Sequence, residues 1–225
     1  MARPEPATEP REQLSTELVL RTAVALADRH GIEWLSMRKL ADELGAGAMS
    51  LYYYVPNKER LIDGMIEIVT GEIEPPSADV DWKTAMRGRA RSTREVLNRH
   101  RWAVGLMEGR MNPGPAGIQL REAILGCLRR AGFSVAMTIQ ALSVQDAYIY
   151  GFALQEKGLP FESAEESTDV AEATLEHVDE LAKHFPYLAE IVAGHVAKVG
   201  YDFTEAFEYG LELILDSLDQ RRDEA

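Results

Sequence analysis

The chain has 225 residues, 46% of them hydrophobic, and a formal net charge of −13, the composition of a folded protein with a sizeable core rather than a disordered chain. Its apolar runs, such as Ile191-Val192-Ala193-Gly194, fall far short of the roughly 20 residues that cross a bilayer, and it opens on prolines and charges rather than a signal segment, so a cytoplasmic protein with no membrane partner is expected. A lone Cys127 has no intrachain disulfide partner, which fits a reducing compartment and a small buried residue.

The acidic balance argues at first against nucleic acid, because phosphate contacts need Lys and Arg. Its distribution answers much of that objection. Residues 1–70 carry 8 basic against 11 acidic side chains, residues 71–160 carry 12 against 9, and residues 161–225 carry 4 against 17. Acid is concentrated towards the C-terminal end. A chain of this kind should repel DNA everywhere except at one local site.

In chain order, residues 1–14 are rich in Pro and Glu without apolar periodicity and read as a disordered arm. Ser15 is a candidate N-cap for a first helix, with Val19, Ala23, Leu26 and Ala27 at helical spacing and Gly31 as its stop. Ser36 can cap a short second helix that turns Met37, Leu40, Ala41 and Leu44 inward and ends at Gly45. A third helix is expected at about 48–54, and Asn57 caps a fourth reaching about 72. Adjacent Pro75 and Pro76 exclude a helix and mark the boundary between domains at 15–73 and 80–220. Beyond it the pattern predicts helices at roughly 82–99, 102–109, 116–131, 134–157, 170–184, 187–198 and 202–220, with a surface loop at 158–169. No strand-like alternation and no internal repeat is present, so the expected class is all-α.

The segment Met37 to Val55 has the spacing of a helix-turn-helix. Two helices that cross steeply need a small residue at the contact, supplied by Ala41, and a residue tolerant of positive φ at the turn, supplied by Gly45. Leu40, Leu44 and Leu51 would seal the angle. Helix-Gly-helix spacing alone is equally a plain helical hairpin, but the flanking residues add specificity. Ser50-Leu51-Tyr52-Tyr53-Tyr54-Val55-Pro56-Asn57-Lys58-Glu59-Arg60-Leu61-Ile62, preceded by Gly31-Ile32-Glu33-Trp34-Leu35-Ser36-Met37-Arg38-Lys39-Leu40-Ala41, closely resembles the tetracycline-repressor (TetR) family over residues 15–66. Phe185-Pro186-Tyr187-Leu188 and Phe207-Glu208-Tyr209-Gly210-Leu211-Glu212-Leu213-Ile214-Leu215 resemble the C-terminal domain of the subgroup nearest the tetracycline repressor itself. The resemblance implies a three-helix DNA-binding domain joined by a linking helix to a larger helical domain for ligand binding and dimerisation. It also implies a transcriptional regulator, a repressor released from its operator by a small-molecule inducer, and not an enzyme.

Residue roles follow from chemistry and from this resemblance together. Arg38 offers a two-pronged fork to guanine, and the matching family position reads a base. Ser36 and Met37 flank it. Ala48, Met49 and Ser50 open the recognition helix, where side chains meet base edges in the major groove; two of the three are apolar and suit thymine methyls. Tyr52 and Tyr54 can donate phenol hydroxyls to phosphate, and Lys58 stands at a helix N-terminus where charge and free amides both suit phosphate. Tyr53 is read either as a DNA contact or as packing. Successive helical positions lie about 100° apart, so three tyrosines cannot all face inward.

The second domain carries the input by default. Trp102, Leu106, Met107, Met111, Phe133, Met137, Gln140, Val144, Tyr148 and Phe152 are candidate ligand contacts, an apolar lining with Gln140 and Tyr148 as polar guides, which suits an apolar or aromatic effector. Core packing is the alternative for each. The family's tetracycline-binding members hold the drug as a magnesium chelate through a histidine. Aligning Asn57-Lys58 and Trp82 puts Met107 at that position and Glu74 where another ligand-contacting histidine belongs, so tetracycline–magnesium is not expected. The five histidines, His30, His100, His177, His184 and His195, show no metal-site spacing, and no cofactor is expected. Reading a palindromic operator needs a two-fold dimer. In this family the last two long helices pair with their mates, giving Ala147, Gly151, Leu154, Phe203, Phe207, Leu211, Ile214 and Leu218 as contact candidates, with packing inside one protomer as the alternative. Two rival functions are an activator of the same fold and an all-α ligand-binding protein without regulatory DNA binding; for an enzyme, no nucleophile-base pair, phosphate loop or metal cluster is present.

Overall fold

In the computed structural model, residues 14–107, 114–159, 178–196 and 203–222 are described, and all regular structure among them is helical. The N-terminal arm before Leu14, most of the loop expected at 158–169, the first part of the helix expected at 170–184 and Met111 lie outside them. The chain divides into two compact units. One holds the chain up to Ile73 together with Arg99–Arg121, and the other holds Glu74–Asn98 and the chain from Glu122 onward.

The first unit opens with α1 (Thr16–His30), α2 (Met37–Glu43), α3 (Ala48–Tyr54) and α4 (Lys58–Gly71). Each boundary has a local cause. The Ser15 hydroxyl accepts from Leu18 N at 3.1 Å, Ser36 from Lys39 N at 3.3 Å, and the Asn57 carbonyl from Arg60 N at 2.9 Å, each satisfying a donor the first turn leaves free. Gly31 ends α1 at φ +82° and Gly45 turns the chain out of α2 at φ +60°, a region that side chains disfavour. Val19, Ala23 and Leu26 of α1, Leu40 and Ala41 of α2, Leu51 of α3, and Leu61, Met65 and Val69 of α4 form the buried core. Met37 and Leu44, expected inward, are only half-buried. At Gly64 a Cβ would meet the Leu20 methyl carbons at 2.6 and 2.8 Å, so this glycine lets α1 and α4 approach closely.

Two later segments pack into the same unit. Arg101–Ala103 form a turn ahead of the short α6 (Val104–Met107), where a helix from 102 was expected. His100, 4% exposed, lies with Nδ1 2.8 Å from Asp28 and Nε2 3.0 Å from Glu72. Trp102 Nε1 donates to the same Asp28 oxygen at 2.6 Å, and Arg99 donates to Glu72 at 2.7 Å. The end of α4 is thereby fixed to Arg99 and His100, and α1 to His100 and Trp102. Farther along, the Ala116 N–H at the start of α7 (Pro115–Arg130) donates to Glu67 of α4 at 2.6 Å.

The second unit contains most of α5 (Trp82–Arg99) and of α7, with α8 (Val135–Lys157), α9 (Val178–His184), α10 (Pro186–Ile191) and α11 (Phe203–Gln220). After α10 the chain widens into a π turn at Val192–Val196, inside the single helix expected at 187–198. Gly132 closes α7 at φ +95°, and Phe133, fully buried, meets Trp82 edge-on at 4.9 Å. Tyr148 of α8 stacks on Phe207 of α11 at 5.5 Å and donates its hydroxyl to the Phe207 carbonyl at 2.9 Å. Along the α5–α11 seam, Lys83 pairs with Asp216 and Asp219, Arg87 with Glu212, and Arg91 with Glu208. The i, i+4, i+8 spacing on both helices runs in opposite directions, so the seam is an antiparallel ladder of charges.

Candidate functional site

The recognition segment is a buried wedge with an exposed rim. Leu51 and Val55 anchor α3 to the core. Arg38, Ala48, Met49, Ser50, Tyr52, Tyr53 and Lys58 are exposed, and Ser36, Met37 and Tyr54 are half-buried. Met49 at 83% and Tyr53 at 87% exposure are large apolar groups left in water at the surface of a small domain, an arrangement that marks a binding face rather than packing. Tyr53 meets Tyr54 edge-on at 5.3 Å. Two hydroxyls are already engaged. Ser36 caps α2, and Ser50 donates to Gly47 O at 2.6 Å. Trp34 and Lys39 were missed by sequence reasoning: the Lys39 ammonium lies 3.7 Å over the Trp34 ring and donates to the Trp34 carbonyl, next in sequence to Arg38. A basic residue five after a tryptophan was the only signal.

The ligand candidates separate between the units. In the first, Trp102 is buried with its indole N–H on Asp28, while Leu106 and Met107 are half-buried. In the second, Phe133 and Met137 are buried, Tyr148 and Phe152 are half-buried around Phe207, and burial raises the Tyr148 phenol above its ordinary value. Gln140 and Val144 are corrections, since both are exposed on α8. Their helical phase is that of Ala136, Ser143 and Ala147, whereas the buried stripe of α8 is Thr138, Ala141, Leu142, Gln145, Ile149 and Ala153.

The polar groups inside this unit are ones that the sequence reading did not single out. Arg89, 3% exposed, lies in the inward stripe of α5 among Ala85, Met86, Ala90 and Thr93. Its Nη2 donates to Asp146 Oδ1 at 2.5 Å, and its Nε and Nη1 have no partner. Gln145, fully buried, has no partner for either amide atom. An unpaired buried polar group costs about 1–3 kcal/mol.

The dimer candidates also divide. Ala147, Gly151 and Leu154 are exposed on α8. Phe207 and Leu211 are fully buried in their own protomer and Leu218 nearly so, while Phe203 and Ile214 are half-buried. The stripe chosen on α11 is therefore its inward face, turned onto α8, and the outward apolar residues of that helix are Tyr209 and Leu213. Cys127 is buried, and burial pushes its thiol upward, away from the reactive thiolate. No described helix is long and apolar enough to cross a membrane.

Comparison with known proteins places these features in one family. The profile of bacterial regulatory proteins, tetR family, matches residues 19–65, and that of the tetracyclin repressor-like C-terminal domain matches residues 74–222. A curated relative from Streptomyces coeruleorubidus, the HTH-type transcriptional repressor DrrR1, is 34% identical over 98% of this chain and 84% of its own length. The class A tetracycline repressor protein of transposon 1721 from Escherichia coli is 31% identical over 93% of each chain. Among solved structures, ActR of Streptomyces coelicolor in complex with actinorhodin superposes with a TM-score of 0.78 at 28% identity, covering 94% of this chain and 98% of its own. With both halves matched, the chain belongs to the TetR family of bacterial regulatory proteins and is a ligand-responsive, DNA-binding transcriptional repressor of that family.

Proposed function

We propose that the protein is a cytoplasmic homodimer that reads a palindromic operator with two copies of α3 and is released when a flat, largely apolar small molecule binds its C-terminal domain. The observation that carries the reading is the exposed rim of α3. Met49, Tyr52 and Tyr53 stand in water beside Lys58, the first residue of α4. Arg38 reads a guanine, Ala48 and Met49 meet thymine methyls, and the Ser50 hydroxyl faces a base edge. Tyr52, Tyr54 and Lys58 hold phosphates, with the free amides of α4 adding to the lysine charge. Ser36 and Met37 set the height of Arg38 over the groove. ActR is solved with actinorhodin bound, which supports an aromatic effector here. Within the second unit Met137 and Phe152 remain the apolar contacts proposed for it and Tyr148 a polar one. No catalytic step belongs to this reading.

Release acts through α4. Its N-terminus adjoins the recognition helix, and its last turns are tied to Arg99 and His100 by Glu72 and to Ala116 by Glu67. An effector that displaces residues 99–116 therefore pulls on α4. Two recognition helices must stand about 34 Å apart to meet successive major grooves, so a small pivot in each protomer breaks the match. The test is selection of bound duplexes from a random library followed by anisotropy titration. Inverted repeats with half-sites about one helical turn apart are expected; selected sites with a single unrepeated motif would refute the palindromic dimer.

A further inference from the structure

We propose that Arg89 and Gln145 form the polar end of the effector site and select an uncharged, oxygen-bearing ligand, one with a carbonyl and a separate hydroxyl. This deepens the ligand-responsive reading above and rests on it. The guanidinium of Arg89 is buried yet makes one hydrogen bond, from Nη2 to Asp146, leaving Nε and Nη1 without an acceptor. One residue before Asp146 on the same helix, Gln145 is fully buried with its amide oxygen and nitrogen both unpaired. The two groups belong to different helices, α5 and α8, joined by the Arg89–Asp146 ion pair.

Buried polar atoms are almost always paired, and orphans on an ion-paired residue and on its partner's chain neighbour are where a ligand gains most, because the protein's own desolvation is already complete. The count decides the ligand chemistry. Two free guanidinium donors and one amide nitrogen ask for acceptor oxygens, and the amide oxygen asks for one donor. Asp146 already neutralises Arg89, so a carboxylate would bring an uncompensated negative charge into the interior, which is strongly opposed. A hydroxy-ketone on a flat apolar body meets the count without adding charge. This corrects the expectation that Gln140 guides the effector.

The test uses three matched probes whose hydroxyl lies away from the carbonyl and stays free to donate: 6-hydroxy-2-acetonaphthone, 2-ethylnaphthalene, and 6-hydroxy-2-naphthoate. Calorimetric titration of the full-length protein should show the ketone binding at least about tenfold tighter than the hydrocarbon, with the acid no tighter than the ketone. Gln145→Met should remove most of that preference. Arg89→Lys keeps a cation for Asp146 but lacks the two orphan donors, and should weaken the ketone while leaving the hydrocarbon unchanged. Without any probe, Gln145→Met should raise the melting temperature, because it replaces two unpaired atoms with a side chain of similar volume. Equal affinities for the three probes, a preference for the acid, no binding of any of them, or a fall in melting temperature that reveals an amide satisfied by structural water would each overturn the proposal. Operator binding is read in parallel by anisotropy. Ketone binding that leaves operator affinity unchanged would refute ligand-responsive release while leaving the oxygen-selective site standing.

Discussion

Arg38 and Lys58 are both exposed cations of the DNA-binding unit, yet the roles proposed for them rest on different physics, and substitution separates them. A guanidinium fork on guanine is specific to one base pair, so Arg38→Ala should weaken the cognate operator by about 1–3 kcal/mol and relax the choice of base at one position. An ammonium on phosphate is indifferent to sequence. Lys58→Ala should lower affinity for operator and random duplex alike and reduce the salt slope by about one. Titrations of both variants against both duplexes at several salt concentrations check this, and equal losses on the two duplexes for Arg38→Ala would end its base-reading role. The rim of this site was legible in the sequence because it lies on one continuous stretch from Arg38 to Lys58 with a fixed helical phase. The inner polar pair was not found in advance. The sequence reading named Gln140, whereas Gln145 is the buried one of the two glutamines in that part of α8, and only the helix phase, set by its packing, says which turns inward.

The helices themselves were largely readable, since Ser15, Ser36, Asn57 and Gly31 act on their nearest neighbours and need no tertiary context. What escaped is what depends on partners distant in sequence: the turn at 101–103, set by the burial of Trp102 against Asp28, and the charge ladder between α5 and α11. The ladder gives stability a pH dependence with a definite sign. Its hydrogen bond to Arg87 holds the Glu212 carboxyl below its ordinary 4.5, and Lys83 does the same for Asp219 below 3.8. These carboxylates stabilise the fold above those values, and the contribution is lost as pH falls through the lowered ones. Lys83, raised above 10.5 by Asp216 and then Asp219, contributes below that value and loses its contribution in stronger alkali. Between about pH 4.5 and 10.5 the ladder is therefore complete. The Arg87–Glu212 pair is partly exposed, at 23% and 41%, so solvent screening limits it to about 0.2–1 kcal/mol. Glu212→Gln should lower the melting temperature at pH 7 by about 1–4 °C, and that difference should shrink as pH falls through the lowered Glu212 value. A difference that stays constant down to the acid unfolding limit would mean that packing, not charge, is what the substitution disturbs.

At the scale of the whole molecule the ladder also alters what the net charge means. Glu208, Glu212, Asp216 and Asp219 are among the 17 acids of residues 161–225, and α5 pairs all four with its own Lys and Arg. Part of the acid expected to repel DNA thus binds the second unit together. The same helix decides how dimerisation must be tested. Phe207 and Leu211 are fully exposed to neither water nor partner, being buried in their own protomer, so a charge at either would be an unpaired buried ion and should unfold the C-terminal unit. Tyr209 and Leu213 point the other way, 70% and 56% exposed, and on α8 Leu154 is 57% exposed beside Ala147 and Gly151. A four-helix interface built from these faces places apolar groups at the contact and small residues where helices cross. Leu154→Glu with Leu213→Glu should therefore give a folded, cooperatively melting monomer by light scattering. Its operator affinity should collapse, because one recognition helix covers too few base pairs to hold a site alone. Leu211→Glu should instead lose the cooperative melt. A double variant that stays dimeric would move the interface off these two helices, and a monomer that still binds the full operator with unchanged affinity would remove the need for a two-fold reader.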